Sequence, residues 1–167
     1  MSEIIEFGQM EGNLNYRQAL TKAMAFCSQS ERCRLDVTAK LKQWELSDEE
    51  IAGALNYLIA ERFLDEKRFV RFYVNDKLRF NKWGKIKLSY MLRQKQIPDE
   101  LIKPELSQID DDLYRKILLD LLRTKIKSIK GESHYERTGK LANFALLHGF
   151  ETELAFKLSS QIVDNKQ

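Results

Sequence analysis

The 167-residue sequence predicts an all-α fold, an elongated and curved tandem array of three three-helix repeats, and three observations lead there. Seven glycines and two prolines are too few turn formers for the many reversals of an all-β chain. Apolar residues recur at three- and four-residue spacing along most of the length, the period of helices with one buried face. Shifted by fifty-one residues, the chain matches itself: Leu41-Lys42-Gln43 falls on Leu92-Arg93-Gln94, Leu46 on Ile97, Asp48-Glu49 on Asp99-Glu100, Ile51 on Ile102 and Leu55 on Leu106. A further shift of about fifty-two, with a slip of one residue at the turn, brings Phe150 to the place of Leu46 and Ile97. Amphipathic stripes can match by chance; turn residues matching as well favours a true repeat. Repeats of this kind touch mainly their neighbours, hence the expectation of an extended shape.

The expected division is a flexible N-terminal segment over residues 1–14, then repeats over 15–64, 65–110 and 111–164. Tyr16, Ala19, Leu20, Ala23, Met24 and Cys27 give the first helix its apolar stripe. Ser30 is the expected cap of a second helix that turns Cys33, Val37, Leu41 and Trp44 inward. Ser47 followed by Asp48-Glu49-Glu50 has the form of a capping box for a third, burying Ile51, Leu55, Leu58 and Ile59. Asp65 caps a fourth, to about Phe80, with Phe69, Phe72, Tyr73, Val74 and Leu78 expected in the core. Gly84 precedes a fifth with Ile86, Leu88, Met91 and Leu92, and Pro98 opens a sixth with Leu101, Ile102, Leu106 and Ile109. Pro104 should bend or shorten that helix, since it lacks the donor for one intrahelical bond. Asp110-Asp111-Asp112 caps a seventh, Ser133 an eighth that Gly149 stops, and Thr152 a ninth that fades near Asp164.

Charge is distributed unevenly. Residues 1–66 sum to −5, residues 67–104 to +8 and residues 105–167 to zero, so the middle third holds the field. Between Lys67 and Lys95 ten Lys or Arg stand against one acid, Asp76. Basic surface of this density attracts phosphate or acidic protein. The candidate partner- or DNA-binding residues are Lys77, Arg79, Lys82, Trp83, Lys85, Lys87, Arg93 and Lys95. Charge runs are often no more than a solvated face, which the lack of interleaved acids argues against here. Trp83, flanked by Lys82 and Lys85, has two readings, an exposed binding residue or packing at a hinge; Phe69, Phe72 and Tyr73 read as core before they read as stacking partners for bases.

No catalytic constellation is found. The sequence has no Gly-rich phosphate loop, no GxSxG, no HExxH and no Cys near a His, so no enzyme activity, no catalytic residue and no cofactor are expected. Cys27 and Cys33 read as structural thiols, and no metal site is expected. His134 and His148 are too far apart along one helix to share an ion. The acidic clusters sit where helix caps are needed. No apolar run reaches a membrane span and no signal-peptide pattern opens the chain, so a cytoplasmic protein with no membrane partner is expected.

The middle third resembles the family of regulatory protein RecX, modulators of the RecA recombinase. The likeness rests on Phe63-Leu64-Asp65-Glu66 with Phe69 and Tyr73, then Lys77 and Arg79, then Lys85-Ile86 with Leu92 and Lys95, closing at Ile97, and extends over roughly residues 16–162. Three places depart from the family pattern: Arg62 where glycine commonly precedes the aromatic, Val70 where a small residue is usual, and Lys82 where a glycine stands four residues before Ile86. The resemblance implies a non-enzymatic protein, expected as a monomer, that lies in the groove of a RecA filament on single-stranded DNA and restrains recombinase, ATPase and coprotease activity. It supplies no catalytic residue. A direct DNA-binding helical module is the alternative, since three-helix units with a basic helix resemble homeodomain-like readers.

Overall fold

The structure is a computed structural model and describes residues 14–165. Among these, nine α-helices follow one another: α1 Leu14–Gln29, α2 Arg34–Gln43, α3 Asp48–Ala60, α4 Glu66–Arg79, α5 Lys85–Gln94, α6 Asp99–Ser107, α7 Asp111–Lys125, α8 His134–Leu147 and α9 Thr152–Asp164, with a 3-10 turn at Ile126–Ser128. The all-helical expectation holds. Residues 1–13, most of the segment expected to be flexible, lie outside the described residues, and Leu14 is already the first residue of α1.

Local sequence sets most of the boundaries. Ser47 Oγ accepts the Glu50 N–H at 3.2 Å while the Glu50 carboxylate accepts the Ser47 N–H at 2.8 Å, a complete capping box at α3. Asp65 accepts the Arg68 N–H at 3.1 Å at α4, Asp110 the Leu113 N–H at 2.8 Å at α7, and Ser133 the Glu136 N–H at 3.1 Å at α8. Two expected caps are corrected. The cap position of α2 is Cys33, with no side-chain bond, because the fully buried Cys33 fixes where the chain enters the helix and leaves Ser30 too early. At α9 the cap is Glu151, with Thr152 the first helical residue. Pro104 lies inside α6, which stops at Ser107, short of Ile109.

The repeat is written in the backbone. Glu45, Gln96 and Gly149, fifty-one and fifty-three residues apart, all have left-handed φ of 62°, 59° and 87°, and each precedes a buried apolar residue, Leu46, Ile97 or Phe150. At the first and third of these the turn closes alike: Glu45 N–H donates to Lys42 O and Leu46 N–H to Leu41 O, as Gly149 N–H donates to Leu146 O and Phe150 N–H to Ala145 O. The packing repeats too, since α1, α2 and α3 contact one another pairwise, as do α7, α8 and α9, and α5 packs on α6. Arg62 and Lys82, at the two places departing from the glycines of the family pattern, also take left-handed φ, 60° and 56°. The turn geometry is kept without the glycine.

Contacts divide the chain into two compact units, one of residues up to Phe72 with Lys95–Ile97, the other of Tyr73–Gln94 with Pro98 onward. The first has a core of Tyr16, Ala19, Ala23, Val37, Leu41, Ile51, Leu55, Leu58 and Leu64 among others, with Trp44 and Phe63 packed on its edge. Cys27 and Cys33 are buried free thiols, and burial pushes both up, Cys33 to about 11. The second unit buries Leu88 and Leu92 of α5, Ile102 of α6, Leu118 and Leu122 of α7, Leu141 of α8, Phe150, and Leu158 of α9. Three expected core residues are instead exposed: Phe72 by 49%, Ile86 by 56% and Ile59 by 39%. Ile86 stands two residues from buried Leu88, roughly 200° round the helix, so both cannot face inward.

A cationic cluster on a turn capped from the third repeat

Within the second unit, the end of α4, the turn 80–84 and the start of α5 bring part of the candidate set together. Trp83 N–H donates to Lys77 O at 3.2 Å and closes the turn, placing the indole 6.4 Å from the Tyr73 ring at a 60° tilt. Lys77 Nζ lies 5.7 Å from the Trp83 centroid and 5.8 Å from that of Tyr73, and Lys87 Nζ lies 4.8 Å from Trp83. Half-buried Trp83 is therefore flanked by two ammonium groups and a second aromatic ring, so it presents cations to solvent before it presents a stacking face. Lys77 has Asp76 at 3.5 Å, whereas Lys82, Lys85 and Lys87 take part in no ion pair among the described residues. Arg79, exposed at the end of α4, donates to Asn75 at 2.7 Å.

The last two candidates stand apart. Arg93 donates to Asp99 at 2.8 Å, which holds the aspartate carboxyl below its usual range and the guanidinium above. Lys95 belongs with the first unit, where it pairs with Asp36 at 3.1 Å and lies 5.8 Å over the Phe69 ring. Their charges are partly neutralised. The compact group is Lys77, Lys82, Trp83, Lys85 and Lys87.

What holds this group was not visible in the sequence. Helix α5 begins without a capping side chain of its own, and its first N–H groups find partners between 29 and 64 residues further on. Gly84 N–H donates to His148 O at 2.7 Å, Lys85 N–H to Tyr114 Oη at 2.9 Å and Ile86 N–H to Gly149 O at 3.0 Å. His148 Nδ1 lies 3.0 Å from Lys82 O; a carbonyl only accepts, so this nitrogen carries the hydrogen. Tyr114 Oη in turn donates to Glu151 at 2.7 Å, its ring packs 5.1 Å from Phe150, and Lys85 Nζ sits 4.8 Å over that ring. Burial, with the carboxylate of Glu151 adding to it, keeps the Tyr114 hydroxyl protonated far above the ordinary phenol range. The backbones are in contact here: a Cβ on Gly84 would stand 2.3 Å from Gly149 O, and one on Gly149 would stand 2.2 Å from Lys87 Cβ. Gly149 was legible as a helix stop; its contact with the basic turn was not.

Other chemistry is sparse. Among the described residues no group of three or more His, Cys, Asp or Glu is placed to hold a metal ion, and no helix is long and apolar enough to cross a membrane. A cleft lined by Lys85, Arg115 and Lys157 on one hand and Asp111, Glu151 and Glu153 on the other, with Tyr114 and Leu154, adjoins the cluster; it is open and of mixed charge.

Comparison with known proteins places this geometry. Residues 65–103, which contain α4, α5 and the first half of α6, match the family model described as RecX, second three-helix domain. "Regulatory protein RecX" of Prosthecochloris aestuarii is 28% identical over 149 residues, covering 89% of this chain and 96% of its own, and the protein of the same name from Chlorobium phaeobacteroides is 29% identical over 146 residues, covering 87% and 94%. The crystal structure of RecX from Lactobacillus salivarius superposes with a TM-score of 0.79 at 19% identity, covering 89% of this chain and 96% of that one, which shows a shared fold. With residues 65–103 matched by a domain model, RecX proteins aligned along nearly their whole length and the fold shared with a solved RecX, the chain is similar to RecX proteins over most of its length.

Proposed function

We propose that this protein is a non-enzymatic regulator that binds RecA and its filament on single-stranded DNA and mainly inhibits the recombinase, ATPase and coprotease activities of that filament. The observation that carries the reading is the basic turn, on which Lys77 and Lys87 flank Trp83 while Lys82, Lys85 and Lys87 form no ion pair among the described residues. Cations gathered on one turn, most of them outside any ion pair, favour a polyanionic assembly, and a recombinase filament offers both acidic protein and DNA phosphate. Similarity to proteins named regulatory protein RecX supports regulation over catalysis.

Adding the purified protein to RecA on single-stranded DNA should lower the rate of ATP hydrolysis, saturating near one protein per few RecA subunits. An unchanged rate at saturating protein would overturn the proposal. The same cations would also serve a direct DNA-binding module, and binding to bare oligonucleotide separates the two. Tight, sequence-selective association without RecA, weakening steeply with salt, favours the module; weak association without RecA beside tight association with the filament favours the regulator.

A further inference from the structure

Resting on that reading of the cluster, we propose that the third repeat serves it as a brace, with Tyr114 and His148 as positioning residues that fix the directions of Lys82, Trp83, Lys85 and Lys87 without touching the partner. Four polar groups of the basic turn, Lys82 C=O and the N–H of Gly84, Lys85 and Ile86, are each satisfied by α7 or by the end of α8. A helix whose first turn lacks a local cap frays, and the turn before it then has no fixed path. Here that turn carries the cations. Packing points the same way. The Gly84 and Gly149 backbones also meet directly, so these bonds and that contact tie the cluster to the third repeat.

The brace also decides what kind of anion site this is. The Gly84, Lys85 and Ile86 N–H groups at the start of α5 already have acceptors, so an anionic partner meets ammonium groups before these donors. Lys82 fits the same picture. It holds a left-handed φ of 56°, a conformation disfavoured for a residue with a side chain, while its carbonyl is pinned by His148 and its ammonium forms no ion pair among the described residues.

The test compares full-length Tyr114→Phe, which removes the hydroxyl alone, with His148→Leu, which removes the ring donor, and His148→Asn, whose amide N–H can stand in for Nδ1–H. Each is titrated against RecA assembled on a single-stranded oligonucleotide at a temperature where circular dichroism shows it folded. Amide exchange of Gly84, Lys85 and Ile86 and the indole N–H resonance of Trp83 are followed by NMR. The expected result is exchange at these amides and dissociation of the complex each about fivefold faster in Tyr114→Phe and His148→Leu, the loss of one hydrogen bond. The Trp83 signal should shift with them, and His148→Asn should recover most of the loss. A merely structural role would lower the melting temperature and leave filament affinity and the Trp83 signal unmoved among folded molecules. Should Tyr114→Phe fail to fold, the His148 pair carries the comparison. Unchanged affinity in the folded variants, while Lys82→Glu/Lys85→Glu/Lys87→Glu abolishes binding, overturns the brace and leaves the site standing. Unchanged affinity in the triple variant overturns both.

Discussion

One substitution made at two places in the third repeat should change stability in opposite directions. At Gly139, inside α8, an added Cβ meets nothing within 4 Å. Gly139→Ala should therefore stabilise by about 1 kcal/mol, the helix-propensity difference between the two residues. At Gly149, just past the end of the same helix, φ is +87° and a Cβ would stand 2.2 Å from Lys87 Cβ and 2.6 Å from Lys87 N. Neither atom can be turned aside by rotating a side chain, so the second repeat must shift. Left-handed strain costs about 1 kcal/mol and forced overpacking about 1 to 3. Weakening the Ile86–Gly149 and Gly84–His148 hydrogen bonds adds about 1 more, and the smaller entropy of the unfolded alanine chain returns about half of that. The net is a loss of about 3 kcal/mol. Urea titration followed by far-ultraviolet circular dichroism reads both. A Gly149→Ala protein within about 1 kcal/mol of the parent, or a destabilised Gly139→Ala, would show that the close approach of the two backbones is misplaced.

Other expectations are smaller. Arg62→Gly should stabilise by about 0.5 to 1 kcal/mol, because φ is 60° there and glycine adopts it freely while the carbonyl that Arg68 bonds is retained; a loss in the same urea assay would mean the arginine side chain contributes to the fold. Ser159 is fully buried and its hydroxyl has no hydrogen-bond partner among the described residues, so Ser159→Ala should raise stability by about 1 kcal/mol, and a decrease in melting temperature would contradict that. Cys33 has a thiol pKa raised by burial from 9.0 to about 11, so ionising it disfavours the folded state. Its contribution to stability is intact below pH 9 and is lost as pH climbs through 11, so the parent should lose more stability over that interval than Cys33→Ala, and equal slopes would refute the assignment.

Much of the fold is legible in the sequence because it is local. Ser47, Asp65, Asp110 and Ser133 each satisfy a donor three residues ahead, and such a bond depends on no distant contact. The fifty-one-residue register was legible for the same reason, since each repeat must end its helix and bury the next apolar residue in the same way. Periodicity names a face without giving its width. On α4 the buried residues Phe69, Val70, Tyr73, Val74 and Leu78 wind round toward Val74 and Leu78, leaving Phe72 on the back. The site was half legible. A charge excess is a property of composition and was visible, but which cations are neutralised depends on partners such as Asp36, 59 residues from Lys95. The caps of α5 were beyond reach: Tyr114 and His148 stand 29 and 66 residues from the groups they hold, and nothing in an isolated tyrosine or histidine announces such a bond.

The most direct measurement is co-sedimentation of the parent and of Lys82→Glu/Lys85→Glu/Lys87→Glu with RecA filaments on single-stranded DNA, both proteins checked for equal helicity and melting. The parent should pellet with the filament and the charge-reversed protein should stay in the supernatant. Equal pelleting by two equally folded proteins would contradict a cationic turn as the means of engagement.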